Sequence, residues 1–174
     1  MCPFFVCASY SFGVVNLRSI IKQLEDVCTP VVEGMGYVFW GLQYIPRSNS
    51  ALLRVFIDAD SGISVDDCAA VSHQLVGVLD VENSLQFSYS LEVSSPGLDR
   101  FLFKFSQYPF YRGSSFVFHF ASPVSGLPKK TEAKLIGVDE ALELLTIERE
   151  GKSHSLPFAS IDKARLVPDI KFNR

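Results

Sequence analysis

Two adjacent serines are the first residues of this 174-residue sequence whose type and setting could support chemistry. Ser94 and Ser95 lie directly before Pro96 and Gly97. A serine nucleophile of the α/β-hydrolase type stands in a G-x-S-x-G motif at a turn from a strand into a helix, and the sequence has no such motif. The two hydroxyls are better suited to bonding the main chain of a turn. No catalytic residue is therefore expected, here or elsewhere in the chain.

The cysteines and acidic residues do not follow a metal-binding pattern. No two cysteines form a C-x-x-C pair and none lies near a histidine at ligand spacing, which favours buried or incidental thiols in a reducing cytoplasm. Four clustered aspartates lack the alternating ligands and final Glu of an EF-hand loop. Neither a metal nor a cofactor is expected. The residues concerned are Cys2, Cys7, Cys28 and Cys68, and Asp58, Asp60, Asp66 and Asp67.

The two parts of the chain differ in charge. Residues 1–97 carry 4 basic and 10 acidic side chains, a net charge of −6, whereas residues 98–174 carry 12 basic and 9 acidic side chains, a net charge of +3. An acidic surface can attract basic proteins, and a mildly basic one can approach phosphates. A difference of this size can also arise by chance on solvated faces.

Hydrophobic periodicity predicts the order helix, strand, strand, helix, strand for the first part, a compact α+β domain. Pro30 should kink or end the first helix, and Gly34 and Gly36 suit its C-terminus. Ser64 and Asp67 form a capping pair for the second helix. The predicted helix at 17–35 is followed by strands at 37–45, 51–58 and 86–94.

Short strands dominate the last third of the sequence and predict a small barrel, closed or nearly so. Phe116, Phe118 and Phe120 alternate and should pack in a core, which directs His119 to the opposite face. The predicted strands are 115–120, 132–138, 142–149, 154–158 and 164–167. Residues 98–112 are rich in aromatic side chains and are predicted to connect the two bodies.

The first 16 residues are predicted to be a poorly ordered extension. They lack the basic start and cleavage pattern of a signal peptide, and they are too short and interrupted to span a membrane. Translation could begin further along the chain. The resulting division is 1–16 for the extension, 17–97 for the first domain, 98–112 for the connecting segment and 113–174 for the second domain.

The most distinctive segment is LEVSSPGLDRFL, from Leu91 to Leu102. Pro96 presets φ and Gly97 accepts a positive φ, as the central positions of a type II turn require. This segment resembles SSPGLDRPL, the signature of the RimP family of ribosome maturation factors. The resemblance extends from about Ile20 to Val167 and includes IDADSGISVDDCAAVSHQL after the hairpin and LPFASIDKARLVP at 156–168.

The resemblance implies a KH-like N-terminal domain and a C-terminal barrel of the SH3-like or Sm-like type. It also implies a non-enzymatic, cytoplasmic and monomeric factor for maturation of the 30S subunit, with contacts to immature 30S particles, 16S rRNA and a small-subunit ribosomal protein. A working KH domain clamps nucleic acid with a GXXG loop. The corresponding turn, DADSG at 58–62, is acidic, so RNA would bind elsewhere.

Three groups of residues are the candidates for these contacts. Asp99 and Arg100 could pair with one another or with a partner, but a role in holding the two domains together is favoured. Basic residues of the barrel could contact rRNA phosphates, or they could be edge-strand lysines that discourage aggregation. The aspartate cluster could bind a basic ribosomal-protein tail. The basic residues are Lys129, Lys130, Lys134, Arg149 and Lys152.

A second function remains open at this point. An Sm-like regulator would use the barrel to bind short single-stranded RNA by itself and would form a ring. An assembly factor would instead sediment with 30S particles.

Overall fold

The computed structural model describes residues 17–48, 50–82, 88–122, 124 and 126–168. Over these ranges the protein is α+β, with two α-helices, two short 3-10 helices and two sheets. This agrees with the predicted class. The expectation for residues 1–16 lies outside the described residues, as does the predicted strand start at Gln86. No helix in the described ranges is both long and apolar enough to cross a bilayer.

The first sheet has three strands, and two helices pack against it. Its elements follow the predicted order: α1 (Leu17–Gly34), β1 (Val38–Pro46), β2 (Ala51–Asp58), α2 (Val65–Glu82) and β3 (Tyr89–Ser94). The strand order is β1-β2-β3. β1 and β2 form an antiparallel hairpin, whereas β3 runs parallel to β2. The parallel pair requires a crossover, and α2 supplies it.

The central strand β2 contributes three side chains to the hydrophobic core between this sheet and the helices. Leu53, Val55 and Ile57 are fully buried on one face, as their alternation predicts. They meet the apolar stripes of both helices. Burial raises the pKa of the Cys28 thiol to about 12, so this cysteine is an inert core residue. The helical residues of the core are Leu24, Cys28, Val32, Val71, Leu75 and Leu79.

Pro30 was predicted to kink α1 or to end its first part, and the second alternative was wrong, because the helix continues through Pro30 to Gly34. The apolar stripe resumes at Val32, which is fully buried. Packing of this last turn outweighs the one main-chain hydrogen bond that proline cannot donate. The chain then turns at Gly36, whose φ of +87° lies in the left-handed region. Its N–H donates to the carbonyl of Glu33 at 2.9 Å.

The second sheet has six strands in the order β4-β9-β5-β6-β7-β8, and every neighbouring pair is antiparallel. The five strands predicted for this part are all present. The two-residue strand β4 was not predicted and lies in the segment expected to be a connection. The strands are β4 (Phe101–Leu102), β5 (Ser115–Phe120), β6 (Lys130–Asp139), β7 (Leu144–Arg149), β8 (Lys152–Pro157) and β9 (Ile161–Val167), and the 3-10 helices are Phe105–Tyr111 and Phe158–Ser160.

A separate core lies against this sheet. Phe116, Phe118 and Phe120 are buried in it, which confirms the packing role predicted for this stripe. They pack with Tyr108 from the first 3-10 helix and with apolar side chains of β6, β7 and β8. His119 belongs to the opposite face of β5 and is half-buried there.

The N-terminus of α2 is closed by the predicted capping pair. The Asp67 N–H donates to the Ser64 hydroxyl at 3.2 Å, and the Ser64 N–H donates to the Asp67 carboxylate at 2.8 Å. The Tyr37 hydroxyl also donates to Asp67, at 2.7 Å. The bonds from the Ser64 hydroxyl, the Tyr37 hydroxyl and the Ser64 main chain lower the pKa of the Asp67 carboxyl to about 2.

This pKa gives a testable pH dependence. Because the folded-state value lies below the ordinary 3.8, ionised Asp67 stabilises the fold above that pH, and the contribution is lost as the pH falls toward about 2. Asp67→Asn should therefore lower stability near neutral pH and flatten its decline between about pH 4 and pH 2. Urea unfolding over that range measures both effects. Asp60→Asn is the control, and an equal flattening in it would contradict the role of Asp67.

Candidate functional site

The turn after β3 is the centre of the candidate site. The Ser94 hydroxyl donates to the carbonyl of Ser95 at 3.1 Å, which is a main-chain contact of the expected kind. Pro96 is buried, and Gly97 has a φ of +72°. The turn then presents Asp99 and Arg100, which do not pair with one another.

Arg100 reaches back to the first sheet. Its Nη1 lies 2.8 Å from Oδ2 of Asp58 at the end of β2, and its guanidinium lies 4.9 Å from the ring centroid of Trp40 in β1. Its Nε donates to the Gly97 carbonyl at 2.9 Å and Nη1 lies 3.3 Å from the Tyr111 hydroxyl. The side chains of Arg100 and Asp58 are only 22 % and 25 % exposed, so the pair is partly shielded from water.

Two hydrogen bonds join β1 to the segment that follows Arg100. The indole N–H of Trp40 donates to the carbonyl of Phe101 at 2.7 Å, and the side-chain amide of Gln107 donates to the carbonyl of Trp40 at 2.7 Å. The carbonyl oxygen of the buried Gln107 side chain accepts the N–H groups of Phe103 and Lys104. A single side chain therefore orients this segment and attaches it to β1.

A glycine allows the aromatic segment to approach β1 closely. A Cβ at Gly41 would lie 2.1 Å from Cδ2 of Phe103, well inside contact distance. The Phe103 ring also packs on Phe56, with the ring centroids 5.6 Å apart. We call the contacts made by Trp40, Gly41, Asp58, Arg100, Phe103 and Gln107 the seam between the two sheets.

Asp99 is directed to the second sheet. Its carboxylate pairs with Nη2 of Arg165 in β9, and Nε of Arg165 donates to the Asp99 carbonyl at 3.2 Å. Arg165 also stacks over Phe101, with its Cζ 5.6 Å from the ring centroid. Both charged side chains are about half exposed, so solvent screening weakens this pair. The adjacent Asp99 and Arg100 thus attach the same turn to different sheets.

The five basic candidates do not lie together. Lys130 and Lys134 are exposed on the face of β6 opposite the buried Thr131, Ala133 and Leu135. Arg149 and Lys152 face each other across the β7–β8 hairpin, and Arg149 pairs with Glu150 at 3.0 Å. Side chains alternate along a strand, so Arg149 shares the side of the buried Ile147 and differs in direction from the β6 lysines. Lys129 is exposed just before β6.

The four aspartates are likewise divided. Asp58 is paired with Arg100, and Asp67 caps α2 and accepts the Tyr37 hydroxyl. Asp60 and Asp66 are exposed. Among the described residues, no group of three or more His, Cys, Asp and Glu side chains could hold a metal ion.

A comparison with protein families assigns the region on one side of the seam. Residues 27–99 match the family model described as the RimP N-terminal domain. This region of the chain belongs to the RimP family. The family is one of ribosome maturation factors. The match confirms the resemblance seen in the SSPGLD segment, and it ends one residue before Arg100. The seam therefore connects the matched RimP region to the rest of the protein.

Four members of the site carry no recognisable signal in the sequence: Trp40, Gly41, Gln107 and Arg165. Trp40 is the single tryptophan of the sequence, and it lies in a predicted strand where core packing is the ordinary expectation. The contacts of Gln107 and Arg165 span 67 and 66 residues. Periodicity over a short window carries no signal of such contacts.

The shielding of the Arg100–Asp58 pair leads to a prediction. A double-mutant cycle with Asp58→Ala and Arg100→Ala should give a coupling energy of about 1–2 kcal/mol in urea unfolding. The matched control is the Arg54–Glu92 pair between neighbouring strands, whose side chains are 37 % and 48 % exposed. Its coupling energy should be below about 0.5 kcal/mol. Equal coupling energies for the two pairs would show that shielding at the seam adds nothing.

The close approach at Gly41 leads to a second prediction. Gly41→Ala should destabilise the protein by about 1–3 kcal/mol, because the Phe103 ring must leave its position on Phe56. Gly77→Ala is the matched control, since its added Cβ meets nothing within 4 Å in α2. Alanine should stabilise that helix by about 0.5–1 kcal/mol. Unfolding in urea compares the variants, and an unchanged midpoint for Gly41→Ala would contradict the packing argument.

Proposed function

We propose that this protein is a non-enzymatic assembly factor of the 30S ribosomal subunit that acts in the cytoplasm by binding immature 30S particles. The observation that carries the proposal is the match of residues 27–99 to the RimP N-terminal domain. A binding role also agrees with the chemistry of the turn after β3. The Ser94 hydroxyl bonds the main chain, and the two charged residues bond other elements of the protein.

The proposal includes a two-domain organisation with residues 17–97 as a KH-like domain, 98–112 as the connecting segment and 113–174 as an SH3-like or Sm-like barrel. Residues 1–16 are proposed to be an extension. The helix–strand–strand–helix–strand order and the two separate hydrophobic cores support this division. Register shifts at His119/Phe120 and Leu135/Gly137 support the proposed barrel, because a β-bulge bends its strand.

In the proposed mechanism, the seam keeps the two domains in one relative orientation, so that a monomer meets its target with both surfaces at once. Asp99 and Arg100 have this positioning role. The target is pre-ribosomal RNA, a basic small-subunit protein, or both. Pre-organisation lowers the entropy cost of binding, because the domains need not be ordered in the complex.

The exposed aspartates are the proposed contact for a basic ribosomal protein. Among the described residues, Asp60 and Asp66 take part in none of the ion pairs, whereas Asp58 and Asp67 have intramolecular partners. Asp60 lies in the turn at 58–62 and Asp66 in the first turn of α2. The turn has no GXXG sequence, so the KH-like domain is not proposed to clamp RNA through it. This surface would instead increase the rate of encounter with a cationic partner.

Sucrose-gradient sedimentation tests the function. We expect the protein to co-migrate with free 30S subunits in a lysate, and a strain that lacks it should accumulate immature 30S particles. Re-expression of the wild-type chain is the control and should restore the profile. If the protein stays at the top of the gradient and the subunit profile is unchanged, the proposal fails. Binding to short RNA as a ring would then favour an Sm-like regulator.

A further inference from the structure

Three strands place basic side chains side by side on the exposed face of the second sheet. His119 of β5 is in register with Lys163 of β9 on one side and with Lys130 of β6 on the other. Their strand neighbours Phe118, Ala164 and Thr131 are buried, so all three basic residues belong to the face away from the core. We call Lys163, His119 and Lys130 the basic row.

The two lysines of the row have no competing ion pair. Within the described ranges, every ion pair involves an arginine: Arg54, Arg100, Arg149 or Arg165. Lys130 and Lys163 are exposed and take part in none of these pairs between described residues. The acidic neighbours of the row are Glu132, which is in register with Val117 in the adjacent row, and the exposed Asp162, which precedes Lys163 in β9. Neither is paired with a lysine of the row among the described ion pairs, so the charges of the two lysines are available to a partner.

The basic row lies where the second sheet is only three strands wide. β4 pairs with β9 only at Arg165 and Ala164, and β7 pairs with β6 only from Lys134 onward. Lys163 and Lys130 therefore stand at the two local margins of the sheet, with His119 between them. Charged residues at such margins discourage pairing with other chains, as Lys152 does on β8. That role leaves the same exposed charges accessible to a polyanion.

We propose that the basic row binds the phosphodiester backbone of RNA. This inference rests on the proposed function and assigns its RNA contact to a surface. Neighbouring strands are about 4.8 Å apart, so the two lysines are separated by roughly 10 Å and can meet different phosphates of one strand that crosses the row. Lysine acts there as a flexible point charge, and His119 donates a hydrogen bond between them. Contacts of this kind position RNA without reading its sequence.

The test compares two charge-matched double variants of the full chain. Lys130→Gln/Lys163→Gln removes two positive charges from the row, and Arg149→Gln/Lys152→Gln removes two from the β7–β8 hairpin. Fluorescence anisotropy with a labelled oligouridylate of about 16 nucleotides measures RNA affinity. The salt concentration is varied from about 50 to 200 mM. Circular dichroism melts verify that both variants fold.

The row variant should bind roughly tenfold more weakly at the lowest salt, and its log–log salt slope should fall by about 1.4, or about 0.7 for each phosphate that a lysine no longer neutralises. The hairpin variant should stay within about twofold of the wild type. Equal losses of affinity in the two variants would reduce the effect to net charge and overturn the assignment.

Sedimentation separates this proposal from the function on which it rests. If the row variant binds RNA like the wild type while the wild type co-sediments with 30S subunits, the row is not the RNA contact and the assembly function stands. If the wild type neither binds the oligonucleotide nor co-sediments, both proposals fail.

Discussion

The Arg100–Asp58 ion pair is the interaction on which the arrangement of the two sheets depends. It joins Asp58, at the end of the central strand of the first sheet, to Arg100, which directly precedes the first strand of the second sheet. Partial burial strengthens the attraction between the two charges, but it also imposes a desolvation cost. Each charge loses contact with water and requires hydrogen bonds within the protein. Arg100 meets that demand with the Gly97 carbonyl, the Tyr111 hydroxyl and the face of Trp40.

The other contacts of the seam are made by neutral groups. Trp40 donates to the main-chain carbonyl of Phe101, and Gln107 donates to that of Trp40, so both of these carbonyls are paired across the junction. Gly41 contributes by having no side chain, which lets the Phe103 ring lie against the strand. An ion pair, two hydrogen bonds and a close ring contact therefore all require the same relative position of the two sheets. A different position would break several of these interactions at once.

Much of the fold could be predicted from local patterns. The apolar stripe of α1, the Ser64–Asp67 cap and the alternating phenylalanines of β5 are all set by spacing of a few residues, and each is present as expected. Pro30 was the exception among the local signals. A tertiary contact, the burial of Val32, decides whether the helix continues beyond a proline. Local propensity does not contain that contact.

By itself, the sequence determined the α+β class, the order of the helices and strands of the first sheet and, through the SSPGLD turn, the resemblance of this region to the RimP family. Only the tertiary structure decided which charges are used inside the molecule and which remain for a partner. Asp58 and Arg100 are 42 residues apart and become partners, whereas Lys130 and Lys163 come into one row across β5. The physical reason is that sheet register and ion pairing are long-range. They follow from the energy of packing two complete cores rather than from any short window of residues.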